Sequence, residues 1–210
     1  MDFDPFGWIE KWIPSRWLHL IIRVFILMIL CFFLVLHIRR YDNFFLKPLW
    51  IIEGFIYVVF LLIYVLRKDP KDRSRGFMEI VPPLIGSVLP FALLLSPPSY
   101  WIVQFPSRQY FIFCWMVVAS SLTLWGLWTL RRSFSITVEV RSLVLRGPYR
   151  WIRHPIYLGE ILTAGAVMIW RFSVTNVFIW TIFVFIQIVR ARLEERKLCT
   201  FFPEYRRRFI

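Results

Sequence analysis

Six stretches of this chain are almost wholly apolar and close to the length of a membrane-crossing helix. They run from Trp17 to Leu36, Pro48 to Leu66, Phe77 to Leu95, Gln109 to Leu130, Pro155 to Trp170 and Val174 to Val189. An α-helix needs about 20 apolar residues to cross the hydrocarbon core of a bilayer. Inside lipid a lone segment must satisfy its own backbone hydrogen bonds, and a helix does so. The pattern therefore predicts an all-α, polytopic transmembrane protein of about six membrane helices. The last two segments are the shortest, and a brief polar turn joins them into a C-terminal helical hairpin. Pro82, Pro83 and Pro90 predict a bend or break in the third segment, because proline removes a helix hydrogen bond and crowds the preceding turn. Trp8, Ile9, Trp12 and Ile13 predict a short interfacial helix ahead of the first span.

Composition agrees with that reading. Apolar residues make up 59% of the 210, and aromatics 20%, whereas a soluble domain is about 45–50% apolar. The formal net charge is +13, which raises the question of nucleic acid. The basic residues lie between the apolar runs, as cytosolic loops of membrane proteins do, so nucleic acid is not an expected partner and membrane lipids are. Cys31, Cys114 and Cys199 are scattered without metal-ligand spacing, which predicts neither a disulfide framework nor a metal site. The N-terminus, Met1-Asp2-Phe3-Asp4, lacks the charge pattern of a cleavable signal.

Lysine and arginine set the expected orientation. With the N-terminus inside, the inner segments hold Lys11 and Arg16, five basic residues in the Arg67–Arg75 loop, six between Arg131 and Arg153, and seven from Arg190 onward. The outer loops hold only Arg39, Arg40, Lys47, Arg108 and Arg171. The positive-inside rule then places both termini in the cytosol. Arg23 falls inside the first span and Glu53 inside the second, where they are candidates to pair with each other.

The character of the chain changes near Arg131. Residues 1–130 read as membrane anchor and substrate gate. Residues 131–210 read as a cofactor-binding loop, the hairpin and a tail, within one integrated membrane domain. In the segment from Arg146 to Glu160, Gly147-Pro148 predicts a turn and Pro155 suits the first residue of a helix. His154 then stands at the start of that helix, at the cytosolic face. Free N–H groups and partial positive charge at a helix start favour an anion, and Arg150 and Arg153 strengthen the preference. Tyr149 and Tyr157 offer aromatic faces to a cation or an adenine. Gly159, Thr163 and Ala166 form a small-residue face for a neighbouring helix or a ligand. Glu160 lies within an apolar run, where a carboxylate is costly.

A second polar cluster, Arg190 to Arg196, follows the last apolar run. Arg190 and Glu194 share one helix face. The hairpin would return this cluster to the side of His154, into one pocket suited to a zwitterion with an extra positive charge. Singly, these residues also describe interfacial anchors and a solvated helix face.

The combined pattern resembles the isoprenylcysteine carboxyl methyltransferase and phospholipid methyltransferase group of membrane enzymes. It comprises Gly147-Pro148-Tyr149, Arg153-His154-Pro155-x-Tyr157-x-Gly159, and Glu194-Glu195 before Phe202-Pro203-Glu204-Tyr205. The resemblance runs from about Arg131 to the end. It implies S-adenosylmethionine as cofactor and a lipophilic or lipid-linked methyl acceptor. It implies that Arg141, Leu143 and Val144 line the cofactor, that Tyr149, Arg153, His154, Pro155 and Tyr157 hold it, and that Glu194 binds its polar end. Arg190 matches the position that orients the acceptor, and Glu195 or Tyr149 is the expected aid where an acceptor must lose a proton. Two positions depart from the family pattern: Arg141 stands where histidine is common, and Pro203 where glycine is usual. An NADPH-dependent membrane reductase of the sterol type carries a similar Arg-His-Pro-x-Tyr-x-Gly-Glu stretch, but with asparagine where Ile156 stands. A non-enzymatic scaffold would account for the helices and leave the two polar clusters without a purpose.

Overall fold

A computed structural model describes residues 15–39, 41, 47–66, 77–134 and 142–209. These residues form helices and connecting turns with no strand among them, so the all-α expectation holds. The elements are α1 (Ser15–Arg39), α2 (Lys47–Leu66), α3 (Phe77–Val88) running into a 3₁₀ segment (Leu89–Leu95), and the short α4 (Tyr100–Val103). They continue with α5 (Pro106–Leu130), α6 (Pro155–Trp170), α7 (Val174–Phe201) and α8 (Pro203–Phe209). Helix α1 packs on α2, α2 on α5, α5 on α6 and α6 on α7, while α3 and the 3₁₀ segment pack on α7.

Two helices, α5 and α7, are long and apolar enough to cross a membrane. In a soluble protein such helices would be core, but only 33% and 22% of their most apolar windows are buried. Phe111, Val118, Phe178 and Phe185 point outward and are mostly exposed, the arrangement expected when lipid is the solvent. Of the six expected spans, two are candidates by length and composition among the described residues. The fifth and third segments fall short for identifiable reasons, while the helices of the first two, Ser15–Arg39 and Lys47–Leu66, are long enough but carry side chains outside the described residues. Sixteen-residue α6 is roughly 24 Å long at 1.5 Å per residue, less than a hydrocarbon core of about 30 Å. The third segment is interrupted, though later than expected. The helix continues through Pro82 and Pro83 to Val88 and tightens to 3₁₀ where Pro90 stands. The expected interfacial helix at Trp8–Ile13 lies outside the described residues, as do the side chains of Arg23 and Glu53.

The close packing of α5 on α6 follows from glycine. A Cβ on Gly159 would lie 2.9 Å from the carbonyl oxygen of Ala119 and from the amide nitrogen of Thr123, and would collide with the Thr123 hydroxyl. The small face of α6 therefore faces a helix, not a ligand. Ala166 continues that face, fully buried beside Ile102 and Ile112.

The hairpin turn, Arg171 to Ser173, is fastened to the end of the 3₁₀ segment. Asn176 is completely buried and donates to the carbonyls of Leu93 (3.2 Å) and Arg171 (2.6 Å) while accepting from Ser96 (3.2 Å). Ser173 caps α7 by accepting from the Asn176 amide at 3.1 Å. Farther along, Gly165 leaves space for the Trp180 ring, whose N–H reaches the Ile161 carbonyl at 3.1 Å. These contacts set the register in which α6 and α7 run past each other.

Candidate functional site

The opposite end of the hairpin carries the two polar clusters. Helix α7 does not stop at Val189 but continues for three more turns to Phe201. Gln187, Arg190 and Glu194 therefore form one stripe on a continuous helix, spaced i, i+3 and i+7. Pro155 opens α6, and His154 is its N-cap residue. His154, Tyr157 and Glu160 follow one another at three-residue intervals. The register brings the two stripes face to face.

Tyr157 donates its hydroxyl hydrogen bond to Glu194. His154 places Nε2 3.1 Å from Glu195 and Nδ1 3.7 Å from Glu194. Arg153 pairs with the same Glu195 oxygen at 3.1 Å. The His154 and Tyr157 rings stack in parallel, with centroids 5.5 Å apart. On the other face of the site, the Arg190 guanidinium lies 4.7 Å from the centre of the Tyr157 ring, within cation–π range. Arg190 donates to Gln187 at 2.9 Å, and Gln187 donates in turn to Glu160. The chain of contacts runs from Arg153 at the surface to Glu160 between the helices.

The loop before α6 closes the site from the side. Ser133 and Ser142 hydrogen-bond to each other. Leu143 and Val144 follow outside any helix and are half-buried; Arg141 lies outside the described residues. Gly147 adopts φ +59°, a left-handed conformation, and a Cβ there would lie 2.7 Å from the Thr129 hydroxyl, so both backbone and space call for glycine. The turn Gly147–Arg150 carries Tyr149, half-buried beside the carboxylates. Burial, and then the negative charge of Glu194 and Glu160, push its phenol well above the ordinary tyrosine range. Tyr205 of α8 is raised too, first by burial and then by Glu195.

The structure thus joins Tyr149, Arg153, His154, Tyr157, Arg190, Glu194 and Glu195 in one cluster. Pro155 sits beneath it, with its ring toward Gly126 of α5. Arg150 lies at the edge, 6.0 Å from the Trp151 ring. Gln187 and Gly86 carried no recognisable signal in the sequence, and Tyr205 figured there only as the end of the Phe202–Tyr205 stretch. Gln187 stands within an apolar run and Gly86 belongs to a helix remote in sequence, where a Cβ would lie 3.4 Å from an Arg190 nitrogen.

Such a site offers carboxylates, guanidinium groups, stacked aromatic faces and a helix start within a few ångströms. No curated protein and no solved structure matches the chain. Residues 111–200 match the model of the isoprenylcysteine carboxyl methyltransferase (ICMT) family. The match begins inside α5, earlier than the motifs near Arg131 suggest, and stops ahead of Pro203, where the sequence departs from the family pattern. Over those residues, which hold α5, the Gly147–Arg150 turn and nearly all of the hairpin, the chain is similar to the isoprenylcysteine carboxyl methyltransferase family.

Proposed function

We propose that this protein transfers a methyl group from S-adenosylmethionine to a lipophilic acceptor at the cytosolic face of a membrane. The observation that carries the reading is the contact of Arg153-His154-x-x-Tyr157 with Glu194-Glu195 across the hairpin. The residues present suit the cofactor. Glu194 is the acceptor for an ammonium, and Arg153 and the first N–H groups of α6 are donors for a carboxylate. The stacked rings of His154 and Tyr157 offer faces to a sulfonium or an adenine. Arg141, Leu143, Val144, Tyr149 and Pro155 complete the pocket in this proposal. In the free site the charged groups satisfy one another, so binding exchanges these partners for those of a zwitterion.

S-adenosylmethionine supplies a methyl group already activated on a positive sulfur. What remains for the protein is to align the acceptor with it and to exclude water. Arg190 orients the acceptor, from a buried position between α3, α6 and α7. A carboxylate acceptor needs no base, whereas an amine, thiol or phenol must lose a proton. Glu195, held by Arg153 and His154, is the group for that task. The anchor helices of residues 1–130 admit the acceptor sideways from lipid, and all six apolar segments associate with the membrane with both termini in the cytosol.

Titration calorimetry in detergent tests the cofactor: heat on adding S-adenosylmethionine supports the reading. Silence there with clear binding of NADPH would favour a reductase. Incubating membranes with methyl-labelled S-adenosylmethionine and identifying the labelled product names the acceptor.

A further inference from the structure

Glu160 is the feature that the reading above leaves without work. It lies one turn deeper into the bundle than Tyr157, on a helix whose neighbouring residues are Leu158, Gly159, Ile161 and Leu162. A carboxylate in an apolar setting costs several kcal/mol unless it is compensated. A leucine in its place would serve the packing of two apolar helices better.

Its partners point to a purpose. The Gln187 amide uses its N–H₂ to donate to Glu160 and its oxygen to accept from Arg190. An amide between a carboxylate and a guanidinium is polarised by both, so each bond strengthens the other. Glu160 and Arg190 also attract each other directly. Gln187 is 1% exposed and Arg190 5%, so little water screens this chain of bonds. The guanidinium is bounded by the Tyr157 ring at 4.7 Å, by Gln187 at 2.9 Å and by the Gly86 position, from which a Cβ would stand 3.4 Å away. An arginine side chain has several freely rotating bonds, and holding it in one orientation requires such bounds.

We propose that Glu160 is the positioning residue for Arg190, fixing its guanidinium over the Tyr157 ring through the Gln187 amide, so that the group is aligned before an acceptor arrives. The proposal rests on the reading of Arg190 as the residue that orients the acceptor, but the geometry it describes can be measured without turnover.

The test uses the full chain in detergent. Phenylglyoxal modification of individual arginines is followed by peptide mass spectrometry in the wild type, Glu160→Gln and Gln187→Leu. Loss of one charge-assisted hydrogen bond corresponds to about a 10-fold effect. Arg190 should therefore react about 10-fold faster in both variants, with Arg153, half-exposed at the surface, reacting as in the wild type. An Arg190 rate within about twofold of the wild type in both variants, or a rise in Gln187→Leu alone, overturns the proposal. Faster reaction of Arg153 as well marks general loosening and overturns it too. The second arm is turnover with labelled S-adenosylmethionine. Turnover in Glu160→Gln should fall about 10-fold while the cofactor Kd stays within about threefold. A parallel loss of cofactor affinity would show that Glu160 supports the cofactor pocket instead. If wild-type membranes transfer no methyl group, the methyltransferase reading fails, and the modification rates still decide what Glu160 does.

Discussion

Tyr157 donates its hydroxyl to Glu194, and that bond joins α6 to α7 at their polar ends. The same ring carries Arg190 near one face and stacks with His154. One side chain thus links an anion, a cation and an imidazole. Its hydroxyl and its ring can be separated by mutation.

Tyr157→Phe keeps the ring and removes the hydroxyl. A hydrogen bond to a charged acceptor contributes about 1.5–3 kcal/mol. Glu194 is then freed from its position, and the Kd for S-adenosylmethionine should weaken about 10- to 100-fold in calorimetry. An unchanged Kd would remove Glu194 from the cofactor pocket.

The two buried phenols predict a limit on the alkaline side. Burial and the neighbouring carboxylates hold the Tyr149 and Tyr205 phenols well above the ordinary tyrosine range in the folded chain, and unfolding returns them to it. A raised pKa leaves stability intact below the unfolded value and removes it as pH rises beyond that value. Thermal unfolding midpoints should be flat up to pH of about 10 and fall above it. Tyr149→Phe with Tyr205→Phe should flatten that fall, and a double variant that declines as steeply as the wild type would contradict the assignment.

Gly159→Ala tests the crossing of α5 and α6. Two backbone atoms lie 2.9 Å from the added carbon, besides the Thr123 hydroxyl. Overpacking of this kind costs about 1–3 kcal/mol, read as a lower unfolding midpoint in detergent. Adding Thr123→Ala should not restore it, because the backbone atoms remain; full recovery would mean the helices can part freely.

Lys197 and Glu79 form an ion pair at 2.7 Å with both side chains largely shielded. The pair holds the polar end of α7 against α3. Glu79→Gln should lower stability by about 1 kcal/mol, a figure kept small because neither group is fully buried. The exchanged pair Glu79→Lys with Lys197→Glu should recover part of it. Additive losses in the exchanged pair would show the two residues act independently.

The orientation can be checked by labelling. With the native cysteines replaced, a cysteine at Ser74 should resist an impermeant thiol reagent in intact cells and react after permeabilisation. Labelling from outside would reverse the topology.

Much of this was legible in the residue order. Helices, the hairpin and the grouping of basic residues follow from local composition, because lipid imposes the same requirement on every segment: apolar side chains outward and backbone bonds satisfied within. The pairing of the His154 and Glu194 clusters was also readable, since a two-helix hairpin must return its ends to one side. The partners themselves were not. Whether Gly159 faced a helix or a ligand depended on how close α5 comes, and Ala119 and Thr123 of α5 supply the answer. Val189 marks the end of the apolar run and not of the helix, since backbone hydrogen bonding carries α7 on to Phe201.

By itself the sequence determined that the chain is helical, membrane-adapted and polar at one end of its last two helices, because these are properties of segments. Only the tertiary structure decided that Tyr157 reaches Glu194, that His154 meets both carboxylates, and that Gln187 connects Glu160 to Arg190. Those are relations across a register, and the register is set toward the far end of the hairpin by Asn176, Trp180 and Gly165.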